Sequence, residues 1–188
     1  MNEKLTVPEL IRTEVIIDKY GKQVVGRYFR CPDGQVREFL VWGGTVVPSI
    51  ILPITGDRKV IAVKQFRYAA NEFVIELPGG CPDRGEGFEE IAKKELLEET
   101  GYVAQAVIRL IESAVWFEPA ACWTPYVPLL AIDCEKKKDP CPDASEIIEV
   151  VTINLSQWIE MIYRGEVRDS KSIAITMLAL PHLGISLK

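Results

Sequence analysis

Apolar and polar residues alternate along the first third of the chain, and that alternation predicts strands. Residues 14–19 and 24–30 are β-rich runs parted by Tyr20-Gly21-Lys22. Cys31-Pro32-Asp33-Gly34 is a turn signal, and residues 35–42 form its returning strand. Residues 46–54 and 59–66 read as a second pair around Thr55-Gly56-Asp57-Arg58. Residues 72–77 form a short apolar strand stopped by Pro78-Gly79-Gly80. The pattern then changes. Residues 88–100 are helix formers, with Gly101 placed as the C-terminal stop. Residues 103–111, 126–133 and 147–154 are extended again, and 135–145 is a polar loop whose Lys136, Lys137 and Lys138 read as a solvated face. Residues 155–164, ending at Gly165, and 170–180 predict two further helices. Mixed strands around a central helix, with helices at the end, predict an α/β (α+β) sandwich preceded by an antiparallel β arm. The expected division is an arm over residues 1–45 and a main domain over 46–188.

Composition narrows the chemistry. Over 188 residues, 48% hydrophobic and 26% charged content is that of an ordinary globular protein. A formal net charge of −5 argues against a broad nucleic-acid surface. The cysteines Cys31, Cys81, Cys122, Cys134 and Cys141 are scattered and odd in number, which points to a reducing compartment rather than a disulfide framework or zinc site. No signal-peptide core and no bilayer-length apolar stretch is present, so the expectation is a soluble, cytoplasmic protein without a membrane partner. His182 is the single histidine and reads as a surface or terminal packing residue. A Ser-His-Asp triad or a histidine metal site therefore lacks raw material, and hydrolytic chemistry must rest on carboxylates.

Residues 86–99 hold six glutamates against two lysines. At about 100° per helical residue, Glu95, Glu98 and Glu99 fall within an arc of roughly 100°. Three carboxylates near a helix C-terminus repel one another and the helix dipole unless a cation sits among them. Mg²⁺ is the natural candidate, because it takes oxygen ligands and keeps waters that a phosphate can displace. The alternative is a solvated acidic face. The preceding Pro78-Gly79-Gly80 turn lets backbone approach a ligand closely and offer it a carbonyl.

Gly80, Glu86, Glu95, Leu96, Glu98, Glu99 and Gly101 stand at the spacing G-x5-E-x7-R-E-U-x-E-E-x-G-U, in which U is apolar. The segment resembles the Nudix box. Two positions depart: Lys94 stands where the family has arginine, and Tyr102 where it has an aliphatic residue. A lysine keeps the charge but loses the planar fork that orients a catalytic glutamate. The resemblance implies a Nudix-like α/β/α sandwich with a mixed sheet and hydrolysis of a nucleoside diphosphate linked to another group. It further implies Mg²⁺, or Mn²⁺ in its place, held by Glu95 and Glu99 with the Gly79 carbonyl and Glu98 contributing. Glu86 is then an auxiliary ligand or the partner of Lys94, and Gly80, Lys94 and Gly101 support the box.

Features outside the box are similar to ADP-ribose and ADP-sugar pyrophosphatases. They are Gln65-Phe66-Arg67-Tyr68, Ile75-Glu76-Leu77-Pro78-Gly79-Gly80 and Gly165-Glu166-Val167-Arg168-Asp169-Ser170-Lys171-Ser172. On that resemblance the substrate is ADP-ribose or a related nucleoside diphosphate sugar, and the N-terminal strands make a homodimer. Glu146 positions or deprotonates water, or is a surface glutamate. Glu98 and Glu99 complete the catalytic set. Arg67 contacts phosphate or ribose, or closes a strand-end salt bridge; Glu76 meets the substrate or Arg67. The run from Trp116 to Thr124 lacks the subfamily's glycine and glutamate, which leaves GDP-mannose or a dinucleotide as other substrates. Lys94 leaves open a non-catalytic module that binds a nucleotide sugar. Trp116, Phe117 and Trp123 stack on a base or sugar, or belong to the core.

Overall fold

The computed structural model describes residues 5–82, 85–142 and 146–186, so Asp83 and Arg84 of the loop before the box, and Ser145 before Glu146, lie outside the described residues. The chain divides into two compact units, one of Met1–Val47 with Trp116–Pro125, the other of Pro48–Val115 with Tyr126–Lys188.

The first unit is a meander. β1 (Glu9–Lys19), β2 (Lys22–Arg30) and β3 (Val36–Gly44) pair antiparallel in the order β1-β2-β3. Tyr20 and Gly21, both at positive φ, make the first turn. In the second, the Asp33 carboxylate takes the Gln35 N–H (3.1 Å) and pairs with Arg37 (2.6 Å). Every residue of β1 is exposed, including Leu10, Ile11, Val15, Ile16 and Ile17. Its register with β2 shifts twice, between Leu10 and Arg12 and between Val15 and Ile17. Segment 116–125 lies along β3. Trp42 donates to Ala121 O (2.8 Å) and accepts from Trp123 N (3.0 Å), and Gly44 N donates to Thr124 Oγ1 (2.6 Å). Trp116 is exposed, contrary to the core reading, and lines a groove with Arg27 and Trp123.

The second unit holds two larger sheets and a two-stranded one. β4 (Ser49–Pro53) is fully buried and central in the first; it runs parallel to β11 (Pro125–Ile132) and antiparallel to β7 (Gly79–Gly80). β9 (Ala106–Arg109) adds to the far side of β11, and β10 (Val115–Trp116) is a two-residue edge piece. The second sheet is antiparallel, with β5 (Lys59–Arg67) between β6 (Glu72–Glu76) and β13 (Ile148–Asn154). This corrects the expected β4–β5 pair. The turn at 55–58 is closed by a single Ile54–Val60 bridge, after which the strands part into different sheets. Both are near-continuous apolar runs buried on two faces, so each needs neighbours other than the other.

Helix α1 (Phe88–Glu95) and α3 (Ser170–Ala179) contact β4; α2 (Leu155–Tyr163) contacts β5 and β13. Ile91, Ala92 and Leu96 are the buried side of α1 and its continuation. The expected helix over 88–100 is present, but its last turn, Leu96–Thr100, is π rather than α. Gly101 ends it in the left-handed region (φ 77°), with its Cα against the Lys138 carbonyl, where a side chain has no room. Gly101 O accepts Lys137 N–H (2.9 Å), next to a short ladder of β8 (Tyr102–Val103) with β12 (Glu135–Lys136) inside the predicted loop.

Candidate active site

The site grows from the point where the chain changes sheets. β6 ends at Glu76, and three residues later Gly79 pairs with Ile50 of β4. A Cβ on Gly79 would run into Ser49 O and Ile50, and one on Gly80 into the Glu95 carboxylate, so only glycine lets the turn lie against both β4 and the helix. Ser49 Oγ donates to Phe88 O (2.9 Å), tying the first turn of α1 to the same strand. The Gly79 N–H donates to Glu99 Oε2 (3.1 Å).

Gly79, Gly80, Lys94, Glu95, Glu98, Glu99 and Glu146 line one polar cleft of about 490 Å³. Seven predicted site residues are thereby brought together. Cys81 and Pro142 also line it, and nothing in their sequence context marks them out. Cys141 N donates to Glu98 O (2.7 Å), which holds the following loop against the π turn. Glu86 is exposed ahead of α1 and is not part of the cleft wall. Gly101 supports from behind.

Glu99 is 4% exposed. Burial, then the charge of Glu95, push its carboxyl up to about 8; Glu146 adds to the rise, while the Gly79 N–H and the Arg67 guanidinium oppose it. Glu146 and Arg67, distant in sequence from the helix, thus act electrostatically on its central carboxylate. Arg67 Nε donates to Glu76 Oε1 (2.5 Å), one of the two contacts expected for Glu76. Glu76 is 2% exposed and burial raises its pKa, with Arg67 opposing. The pair lines a second groove of about 460 Å³ with Glu72, Arg168, Asp169 and Lys171.

Among the described residues, no group of three or more His, Cys, Asp or Glu side chains is arranged to hold a metal ion as it stands. The donor chemistry nevertheless fits a hard divalent cation. The cleft is lined by carboxylates, and Glu99 is a buried acid whose neighbours are further acids.

The cleft sets carboxylates beside a glycine turn on a mixed α+β scaffold, and no histidine is among its lining residues. A NUDIX domain model matches residues 45–173, and the chain belongs to the Nudix family as a Nudix hydrolase. It is 30% identical over 177 residues to the ADP-ribose pyrophosphatase of Bacillus subtilis (strain 168), covering 92% of this chain and 89% of that protein. It is 31% identical over 144 residues to the GDP-mannose pyrophosphatase of Escherichia coli O1:K1 / APEC, covering 72% and 74%. A solved structure titled "Crystal structure of ADP compounds hydrolase" superposes with a TM-score of 0.84 at 18% identity, over 97% of each chain, and shares the fold.

Proposed function

We propose that this hydrolase cleaves the diphosphate bond of ADP-ribose or a related nucleoside diphosphate sugar, releasing a nucleoside monophosphate and a sugar phosphate. The observation that carries the reading is the buried Glu99 among Glu95, Glu98 and Glu146 at the Gly79 turn. The similarity to an ADP-ribose pyrophosphatase supports the substrate.

Glu95 and Glu99 would be the principal holders of Mg²⁺ or Mn²⁺, with Glu98 and the Gly79 carbonyl contributing and Glu86 auxiliary. When bound, the cation neutralises phosphate charge and lowers the pKa of water. The chain's own groups do the rest. Gly79 N–H fixes one oxygen of Glu99. Glu146, which also lines the cleft, takes a proton from water at a carboxylate oxygen. Arg67, held by Glu76, offers its remaining guanidinium N–H groups to phosphate oxygens. Lys94 supplies positive charge on the cleft wall.

Incubation with ADP-ribose, GDP-mannose and a dinucleotide in the presence of Mg²⁺ tests the reading. AMP release from ADP-ribose, abolished by chelator and by Glu99→Gln, is expected; no AMP release removes this substrate. GDP-mannose is the second reading, favoured by the E. coli similarity, and turnover of it alone would establish it.

The first unit is proposed to be the surface of a homodimer, because β1 exposes five large aliphatic side chains on an edge strand. Light scattering at twice 21.1 kDa is expected at micromolar concentration, and a monomer mass rejects it. Five free thiols fit the reducing cytoplasm. Among the described residues no helix is long and apolar enough to cross a membrane.

A further inference from the structure

At Leu77 the chain has left one sheet and has not yet joined the other. Its N–H lies outside both ladders and donates to Ser172 Oγ at 2.9 Å, across 95 residues of sequence. Ser172 is fully buried near the start of α3. Its hydroxyl donates to Asp169 Oδ2 (2.7 Å), and its backbone N–H donates to the same oxygen (2.9 Å). With that proton committed to Asp169, the oxygen lone pairs are left for Leu77. The other Asp169 oxygen pairs with Lys171. Two residues beyond Leu77, Gly79 presents its N–H to Glu99. Neither Asp169 nor Ser172 lines the carboxylate cleft.

We propose that Asp169 and Ser172 are positioning residues for the cleft: through Leu77 they fix the crossing strand, and so the place of the Gly79 N–H and of the Glu99 side chain that it holds. A hydroxyl bonded on both sides has one orientation, and a buried N–H without a ladder has no cheaper partner. Pro78 between them stiffens the two-residue lever, since its φ is fixed, and its carbonyl accepts Ile51 N–H (3.0 Å). Movement at Leu77 therefore passes to Gly79 rather than being absorbed. The inference rests on the reading above that Gly79 and Glu99 help to hold the divalent cation.

Two measurements test it, both made well below the melting temperature of each variant. The first is amide hydrogen exchange of Leu77 and Gly79 by NMR; the second is the Mn²⁺ dissociation constant from the EPR signal of free Mn²⁺. Ser172→Ala is expected to speed exchange at Gly79 about tenfold and to weaken Mn²⁺ about tenfold, the scale of one lost hydrogen bond. Ser172→Thr, which keeps the hydroxyl, should restore both. Thr176→Val cannot serve as the control, because it would remove the bond from Thr176 Oγ1 to Ser172 O (2.7 Å). The control used is Ala179→Gly, which weakens the buried far end of the same helix, removes no hydrogen bond of Ser172 or Leu77, and should leave both values as in the wild type. If Ser172→Ala does not fold, Asp169→Ala removes the acceptor of the Ser172 proton and should move both readouts the same way. Unchanged Gly79 exchange in these variants, or an equal change in Ala179→Gly, overturns the proposal. Wild-type Mn²⁺ binding that ignores Glu99→Gln would remove the cation reading instead, and Gly79 exchange would still decide on positioning.

Discussion

Glu99 makes the stability of this protein depend on pH in an unusual direction. Its carboxyl titrates near 8 in the fold and at the ordinary 4.5 when exposed. Below 4.5 both states are protonated, and the contribution is fully present. As the pH rises from 4.5 to 8 the unfolded chain releases a proton that the folded chain keeps, so folding loses stability throughout that window, and above 8 the contribution is gone. At about 1.4 kcal/mol per pH unit, the interval gives at most about 5 kcal/mol. For a chain of this size that corresponds to roughly 10–20 °C in melting temperature as an upper bound. Other groups titrate in the same range, so the measurement is a difference. Thermal unfolding by circular dichroism in chelator, from pH 5 to 8.5, is compared between wild type and Glu99→Gln. The glutamine keeps an oxygen for the Gly79 N–H and has no proton to lose. The wild-type curve should fall relative to the variant as pH rises. Millimolar Mg²⁺ should recover the wild type at pH 8.5 and have little effect at pH 5 or on the variant. Parallel curves for the two proteins would refute the assignment of a buried, cation-seeking carboxyl to Glu99.

Gly79→Ala places a methyl against Ser49 O and Ile50 and should cost about 1–3 kcal/mol in urea unfolding. Arg67→Ala leaves the Glu76 carboxylate buried beside an open groove; a loss of about 1–2 kcal/mol at pH 7 is expected, shrinking at acid pH as Glu76 takes a proton, with a raised KM in steady-state assays. Arg67→Lys should restore little of that KM, because the fork and not the charge alone is used. Lys94→Arg should raise kcat several-fold at constant KM, and an unchanged kcat would show that the lysine orients the glutamates as well as an arginine does.

The parts of this fold that were legible in the sequence are those written in local chemistry. Gly101 predicted the end of the helix and sits there at φ 77°. The carboxylates of one helix, and Glu146 far from them, were identified one by one and do meet in one cleft. What was illegible depends on partners. Two apolar runs around a tight turn look like a hairpin, yet residues buried on both faces carry no alternation to say which strand lies beside them, and β4 and β5 part after the Ile54–Val60 bridge. The π turn at Leu96–Thr100 adds no residue type that an α-turn would lack. The bond between Leu77 and Ser172 joins two segments whose sequences say nothing of each other, although the run through Asp169 and Ser172 had been noted. Trp116 is exposed because its neighbourhood is a groove and not a core.

The two register shifts in β1 bear on how the protein behaves when concentrated. An eleven-residue edge strand rich in isoleucine and valine is a template on which further chains can add without limit, and it carries no proline to interrupt the addition. Each bulge leaves one residue unpaired and increases the local twist, so the free edge is not a straight row of donors and acceptors. A growing stack of identical strands would have to repeat that distortion at every layer. The bulges therefore leave the strand's apolar side chains exposed while denying it the flat geometry of a fibril.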